Sequence, residues 1–544
     1  IDEILDIFID AKEYGSILNV SDKYDFSVLN KFIKGVRSKE QELQLSDETI
    51  GIERTQDDVL EILSVAKILA QNYDVVVTNP PYMGSSGMNP KLSKYVKDNY
   101  PDSKSDLFAV FMERCKEFAK SYGYYAMITQ HAWMFLSSYE KLREKLQSNT
   151  ICNMVHLGAR AFEEIGGEVV QTTAFVFKNN FMNDYKGSYI RLVDFNNAEE
   201  KERKTLEAMQ DPGCGYYYET EQSNFEKIPG MPIAYWASSN LIEAFKNGKP
   251  MDTLIEPRQG LATANNDRFL RLWHEVDIDN INFISDSIEA SVESKSKWFP
   301  YNKGGARRQW YGNYDYVVNW ENDGFEIRNF KDERGKLRSR PQNTGYYFKE
   351  AITWSLITSG GFSIRYRELG SIHDVAGMSA FANNHDRLMY ILGLMSTKIA
   401  NYVFKMLNPT INLQIGDFNN FPVLLTNNER ILELVKENID TSKEEWNSYE
   451  EAWGFNRHPF INQSNCTIKD SYNSWEAECK KRIARTKDNE EELNRIFIKL
   501  YRLENELSPD VTINDITLRD ANLTKDIKSF ISYAVGCMFG RYSL

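Results

Sequence analysis

Four apolar or β-branched residues run into two prolines in Val75-Val76-Val77-Thr78-Asn79-Pro80-Pro81-Tyr82, and this limits what the chain can become. The run reads as a buried parallel strand. The prolines end it, because they donate no ladder hydrogen bond and push the preceding residue out of the helical region. The strand thus delivers Asn79 and Tyr82 into a rigid turn at its carboxyl end, the edge where open α/β sheets bind ligands. An amide oxygen and a proline carbonyl held side by side can both accept from an exocyclic amino group. Tyr82 adds a face for a planar base, so the turn suits a flipped-out base presented to an electrophilic methyl. A plain strand followed by a proline-rich turn is the alternative.

Around this turn the pattern alternates. Residues 57–70 place apolar side chains at helical spacing. Met83 to Lys94 is rich in Gly and Ser and reads as a mobile segment. Asp106 to Lys120 reads as a helix, 124–128 as a strand, 139–147 as a helix, and 151–157 and 169–177 as strands. The expected fold class is therefore α/β: a partial Rossmann-like sheet, parallel with an antiparallel end. A mixed α+β region follows, then a helical C-terminal segment. The expected divisions are 1–235, 236–425 and 426–544, in keeping with a length of 544 residues.

The net charge of −13 argues against nucleic-acid binding through overall charge, but the distribution is uneven. Residues 298–367 carry twelve Lys or Arg against seven Asp or Glu. Trp298, Trp310, Tyr311, Tyr314, Tyr316 and Trp320 crowd that stretch with Lys303, Arg307 and Arg308. Arg338 and Arg340 follow. Aromatic residues among basic ones suit phosphate and base contacts. An aromatic core beside a solvated charged loop fits the composition equally. Leu493, Ile496, Leu500, Leu503 and Leu507 step as a short coiled-coil seam. Six scattered cysteines show no metal-type pairing and fit free thiols in a reducing cytoplasm. No apolar run reaches membrane-spanning length, so no membrane partner is expected.

Asn79-Pro-Pro-Tyr82 after an apolar strand resembles the catalytic motif of N6-adenine DNA methyltransferases. Asn79-Pro-Pro-Tyr-Met-Gly-Ser, Ser105-Asp-Leu-Phe-Ala, His156-Leu-Gly-Ala-Arg-Ala-Phe162-Glu and Gly377-Met-Ser-Ala-Phe381 are similar to PglX-type methyltransferases of the BREX phage-defence systems. The resemblance implies that Asn79, Pro80 and Pro81 form the turn that holds the adenine amino group. It implies that Tyr82 stacks on the base with Phe162 as a second aromatic, and that S-adenosylmethionine is the methyl donor. A core role for Phe162 is the alternative. Double-stranded DNA is the implied substrate, and other BREX proteins or phage DNA-mimic inhibitors are implied partners. Residues 236–425 resemble a target-recognition domain, with Gln259-Gly-Leu-Ala-Thr263 near its opening and Asn408-Pro-Thr-Ile-Asn412-Leu-Gln414 near its close. Asn412 and Gln414 are candidate base readers; the same residues equally fit turn caps. The family's glycine-rich cofactor loop has no match in residues 1–73. Gly15 and Ser16 resemble only a late cofactor-edge turn, and Asp211-Pro-Gly-Cys-Gly215 reads as a plain loop. The chain is therefore expected to be part of a longer enzyme and inactive alone. A DNA- or partner-binding module without turnover is the competing reading.

Overall fold

The computed structural model describes residues 1–40, 47–162, 170–355, 361–408, 415–461 and 467–542, with the side chains of all these but 36–40 and 47–54. They form two compact units, Ile1–Ala237 and Ser238–Leu544.

The first unit opens with four helices, α1 (Asp2–Phe8), α2 (Ala11–Tyr14), α3 (Phe26–Glu40) and α4 (Asp47–Ala70). Ile9 and Asp10 separate α1 from α2. Then come β1 (Tyr73–Thr78), α5 (Pro90–Asn99), α6 (Leu107–Phe118) and β2 (Ala119–Gln130). After α7 (Glu140–Leu146) follow β3 (Thr150–Gly158), β4 (Thr172–Lys178), β5 (Lys186–Arg191), α8 (Ala198–Gln210) and β6 (Tyr217–Glu221). The sheet order is β1-β2-β4-β3-β5-β6. β1 is parallel to β2 and β3 to β5, while β4 runs antiparallel to both β2 and β3. β1, β2, β3 and β5 therefore end at one edge of the sheet.

Strand alternation builds the core. Tyr125 and Met127 of β2 and Phe175 and Phe177 of β4 point to the face covered by Phe108, Ala109, Met112 and Cys115 of α6. Burying each such Phe or Met stabilises by about 1.5–3 kcal/mol. Among the described residues β1 pairs with β2 alone and forms the sheet edge. Val76 packs on the core, whereas Val75 and Val77 are 59% and 72% exposed. The strand is parallel, as read, but in this chain only its Val76 side packs on a core: a short apolar run does not say what covers each face.

The second unit holds two four-stranded sheets. One orders Ile372–His373, Trp298–Asn302, Tyr316–Asn319 and Leu270–Leu272. The other orders Ile364–Arg367, Ala351–Ser355, Gly377–Phe381 and Glu256–Arg258. Its helices include Ser239–Asn247, His385–Met395, Lys398–Leu407, Arg430–Trp446, Ile468–Tyr501 and Leu523–Met538. The leucine seam differs from its reading. The long helix stops at Tyr501, where Arg502 turns left-handed, so Leu503 and Leu507 lie past its end. Leu493, Phe497, Ile498 and Tyr501 are buried along the helix and Leu503 just past its end, and the Tyr501 hydroxyl donates to the Pro422 carbonyl at 2.6 Å. The helix is part of the unit's own packing. Among the described residues no helix is long and apolar enough to cross a membrane, and Cys115, Cys152, Cys214, Cys479 and Cys537 are free.

Candidate active site

The turn after β1 is fixed by a residue well downstream. Asp106 caps α6, its carboxylate accepting the Phe108 N–H at 3.3 Å. The same Oδ1 accepts the Met83 N–H at 3.0 Å. The Leu107 N–H donates to the Met83 carbonyl at 3.0 Å, and the Ser85 N–H donates to Ser105 O at 3.0 Å. Gly84 and Asp106 form an antiparallel bridge. The segment read as mobile is thus tied down at its start, and its second half is α5, capped by Asn89 with Pro90 in the first turn. Burial raises the Asp106 carboxyl, opposed by the backbone N–H groups that bond it.

Within this frame Asn79 is exposed, Pro80 buried, Pro81 exposed and Tyr82 half-buried. No hydrogen bond engages the Asn79 side chain among the described residues, so its amide is available to a ligand. The Tyr82 ring stands edge-on to Phe108, centroids 6.2 Å apart at 83°. Its hydroxyl donates to Ile128 O of β2 at 3.3 Å. Burial, and then the Asp106 carboxylate, raise the phenol's pKa, so Tyr82 stays neutral. Phe162 is half-buried, four residues beyond β3. Because β1 and β3 run the same way, Asn79, Tyr82 and Phe162 occupy one edge of the sheet.

That edge also holds a histidine pair that the sequence did not announce. His131, just past β2, contacts His156 of β3 through Nδ1 and Nε2 at 2.8 Å. The other His156 nitrogen lies 3.1 Å from the Tyr235 hydroxyl. Burial pushes His131 down to about 4. Burial first, then His131, Arg191 and Lys201, push His156 well below its ordinary range. Both rings are neutral near pH 7, and one donates its N–H to the other.

The remaining candidates lie elsewhere. Gly15 and Ser16 are exposed in a turn whose next residues, Ile17 and Leu18, are held through their carbonyls by Tyr100 and Arg114 at 2.7 and 2.8 Å. Gly15 has φ 56°, and the space where a Cβ would stand is open, which leaves room for close approach of a ligand. Among the described residues no hydrogen bond or ring contact joins Gly15 or Ser16 to residues 79–82. Asp211–Gly215 is a turn between α8 and β6, with the Gly213 N–H bonded to the Asp211 carboxylate at 2.9 Å.

In the second unit the aromatic-basic stretch separates into two populations. Trp310, Tyr311, Tyr314 and Trp320 are buried core residues. Arg307, Arg338 and Arg340 are exposed, and Lys303 is half-buried with Nζ 4.4 Å over the Tyr316 ring. Arg338 and Arg340 follow a tight ribbon closed by the Lys331–Leu337 bridge. Arg308 is a correction. It is 6% exposed, its Nε donates to Tyr311 O at 2.7 Å, and it forms an ion pair with buried Glu445. A guanidinium held by a buried carboxylate is unavailable to phosphate. Asn412 and Gln414 lie outside the described residues.

Asp106 is the residue that sequence reasoning left without a role in the site. Its signal was an Asp directly before the apolar Leu107-Phe108, a helix cap, but nothing local tied it to a turn more than twenty residues earlier.

Comparison with known proteins gives this geometry its class. The family model of the Eco57I restriction-modification methylase matches residues 12–162, which contain the turn, the Asp106 clamp and the histidine pair. Over its whole length the chain is 44% identical to the adenine-specific methyltransferase PglX of Lacticaseibacillus casei (strain Zhang), covering 45% of that protein. It is 37% identical to the adenine-specific methyltransferase BrxX of Escherichia coli O9:H4 (strain HS), covering 99% of this chain and 44% of that one. The Type II restriction enzyme and methyltransferase RM.Eco57I of Escherichia coli is 27% identical over 157 residues, 28% of this chain and 15% of that one. Over its whole length the chain is similar to the PglX-type methyltransferases. It spans just under half the length of the PglX and BrxX proteins that it matches.

Proposed function

We propose that the protein containing this chain transfers a methyl group from S-adenosylmethionine to N6 of a flipped-out adenine in duplex DNA, marking host DNA within a phage-defence system. The observation that carries the proposal is the exposed, unengaged Asn79 amide beside a Tyr82 ring held by Phe108 and Ile128. Asn79 Oδ1 and the Pro80 carbonyl accept the two N6 hydrogens, which orients the nitrogen lone pair. These hydrogen bonds strengthen as N6 gains positive charge, so alignment and electrostatics carry the catalysis. Tyr82 stacks on the adenine, and Phe162 closes the pocket from the end of β3. S-adenosylmethionine, when bound, supplies the electrophilic methyl, and Gly15 and Ser16 are this chain's residues toward it.

In this reading residues 1–235 are the later part of a Rossmann-like catalytic domain, 236–425 a target-recognition domain and 426–544 a helical region packed within the same unit. Arg307, Arg338, Arg340 and Lys303 meet DNA phosphates. The chain alone lacks full capacity for the methyl donor. The second reading, a DNA- or partner-binding module without turnover, draws on the same exposed arginines.

The test follows methyl transfer to duplex DNA by the full-length protein and identifies the product base. N6-methyladenine supports the proposal. DNA bound without any methylated base supports the module and ends the catalytic reading.

A further inference from the structure

We infer that a cavity at the opposite edge of the first unit's sheet binds an organic cation carrying a guanidinium or primary ammonium group. The cavity, about 490 Å³, lies where β3 and β5 begin and β6 ends. β1, β3 and β5 share a direction, so it is remote from the Asn79 edge and independent of the methyl-transfer reading. Its volume suits a small ligand or one long side chain.

The lining gives the ligand's sign and shape. Asp184, Glu221 and Glu226 contribute three carboxylates, and among the described residues none of the three forms an ion pair. Lys186 stands across from Glu221 in the strand register, exposed and without a bond to it. Phe181 and Tyr185, 40% and 37% exposed, supply aromatic surface. Tyr189 is 1% exposed, and its hydroxyl has no hydrogen-bond partner. Gly187 lets the Tyr189 hydroxyl and the neighbouring strand pack closely at the floor: a Cβ there would stand 2.9 Å from that hydroxyl and 2.5 Å from the Ile151 carbonyl.

Carboxylates with aromatic faces recognise guanidinium and ammonium groups, through charge-assisted hydrogen bonds and cation–π attraction. A metal ion fits less well, because the described residues contain no cluster of three or more side chains placed to hold one. The Tyr189 oxygen, left without a donor, is free to accept from a guanidinium N–H. The cation has two sources, a free polyamine-like molecule or an arginine side chain of a partner protein, and the chemistry is the same for both.

Calorimetric titration of the 544-residue chain with agmatine, and separately with acetyl-Gly-Arg-Gly-amide, tests the inference. Saturable binding of either probe is expected, weakened about tenfold in the double variant Asp184→Asn/Glu226→Gln, a loss of about 1.4 kcal/mol. Both residues are exposed and the replacements nearly isosteric, so an unchanged unfolding temperature confirms that the variant is folded. Tighter binding of the peptide points to a protein partner, and tighter binding of agmatine to a free cation. The inference is overturned if neither probe saturates, or if the folded double variant binds as the parent does.

Discussion

The carboxylate of Asp106 accepts the backbone N–H of Met83 at 3.0 Å, so the cap of one helix also fixes the turn that carries Asn79 and Tyr82. Replacing Asp106 by Ala removes the acceptor of both the Met83 and Phe108 N–H groups. It is expected to lower stability by about 1–2 kcal/mol, read by urea unfolding. Asp106→Asn keeps an acceptor oxygen and should recover most of that loss. If Asp106 positions the turn, kcat of the full-length enzyme falls in the Ala variant and is largely rescued in the Asn variant.

Tyr82 separates stacking from hydrogen bonding. Its hydroxyl makes one long bond, to Ile128 O at 3.3 Å. Tyr82→Phe should change stability by less than about 1 kcal/mol and leave methyl transfer near normal. Tyr82→Ala removes the ring, and base stacking is worth about 1–3 kcal/mol. A 2-aminopurine placed at the target adenine reports the difference, since its fluorescence rise on flipping should persist with Phe and fade with Ala.

The arginines divide by burial. Arg338→Gln and Arg340→Gln should each reduce the slope of log affinity against log salt by about 1, measured on duplex DNA, without altering unfolding. Arg308→Gln should leave that slope alone and lower stability by less than the loss of about 3–5 kcal/mol for a stranded buried charge, because Glu445 keeps its ion pair with Arg519 at 2.8 Å.

Two buried groups predict opposite pH responses. Burial raises Glu490 to about 7, against the lowering hydrogen bond from the Trp310 indole at 2.8 Å. The folded form therefore holds a proton that the unfolded form has released, and stability falls as pH rises from the ordinary glutamate range through about 7. Glu490→Gln should flatten this dependence in a series of thermal unfolding curves. His131 behaves the other way. Its folded value of about 4 lies below that of the unfolded chain, so stability falls as pH drops from the ordinary histidine range toward 4.

What was legible in the sequence was local. The turn after Thr78, the helix beginning beside Asp106 and the strands read at 124–128, 151–157 and 169–177, the last of them observed from Thr172, follow from proline chemistry, capping and periodicity. β5 and β6 were missed, because Lys186–Arg191 and Tyr217–Glu221 mix polar and aromatic residues without a strong period. The exposure of Val75 and Val77 was illegible, since it depends on what packs on that face of β1. The burial of Arg308 was illegible for the same kind of reason: Glu445, its partner, is 137 residues away. Composition described the aromatic-basic stretch but did not sort Trp310 and Tyr314 into the core and Arg338 and Arg340 onto the surface.

The central claim is that the Asn79 amide holds the reacting amino group. It is tested most directly by measuring N6-methyladenine formation and duplex-DNA affinity side by side for the full-length protein and its Asn79→Ala variant. The account predicts that methylation disappears while DNA affinity stays within about threefold, a difference under 1 kcal/mol. Methylation that persists in the variant would contradict it.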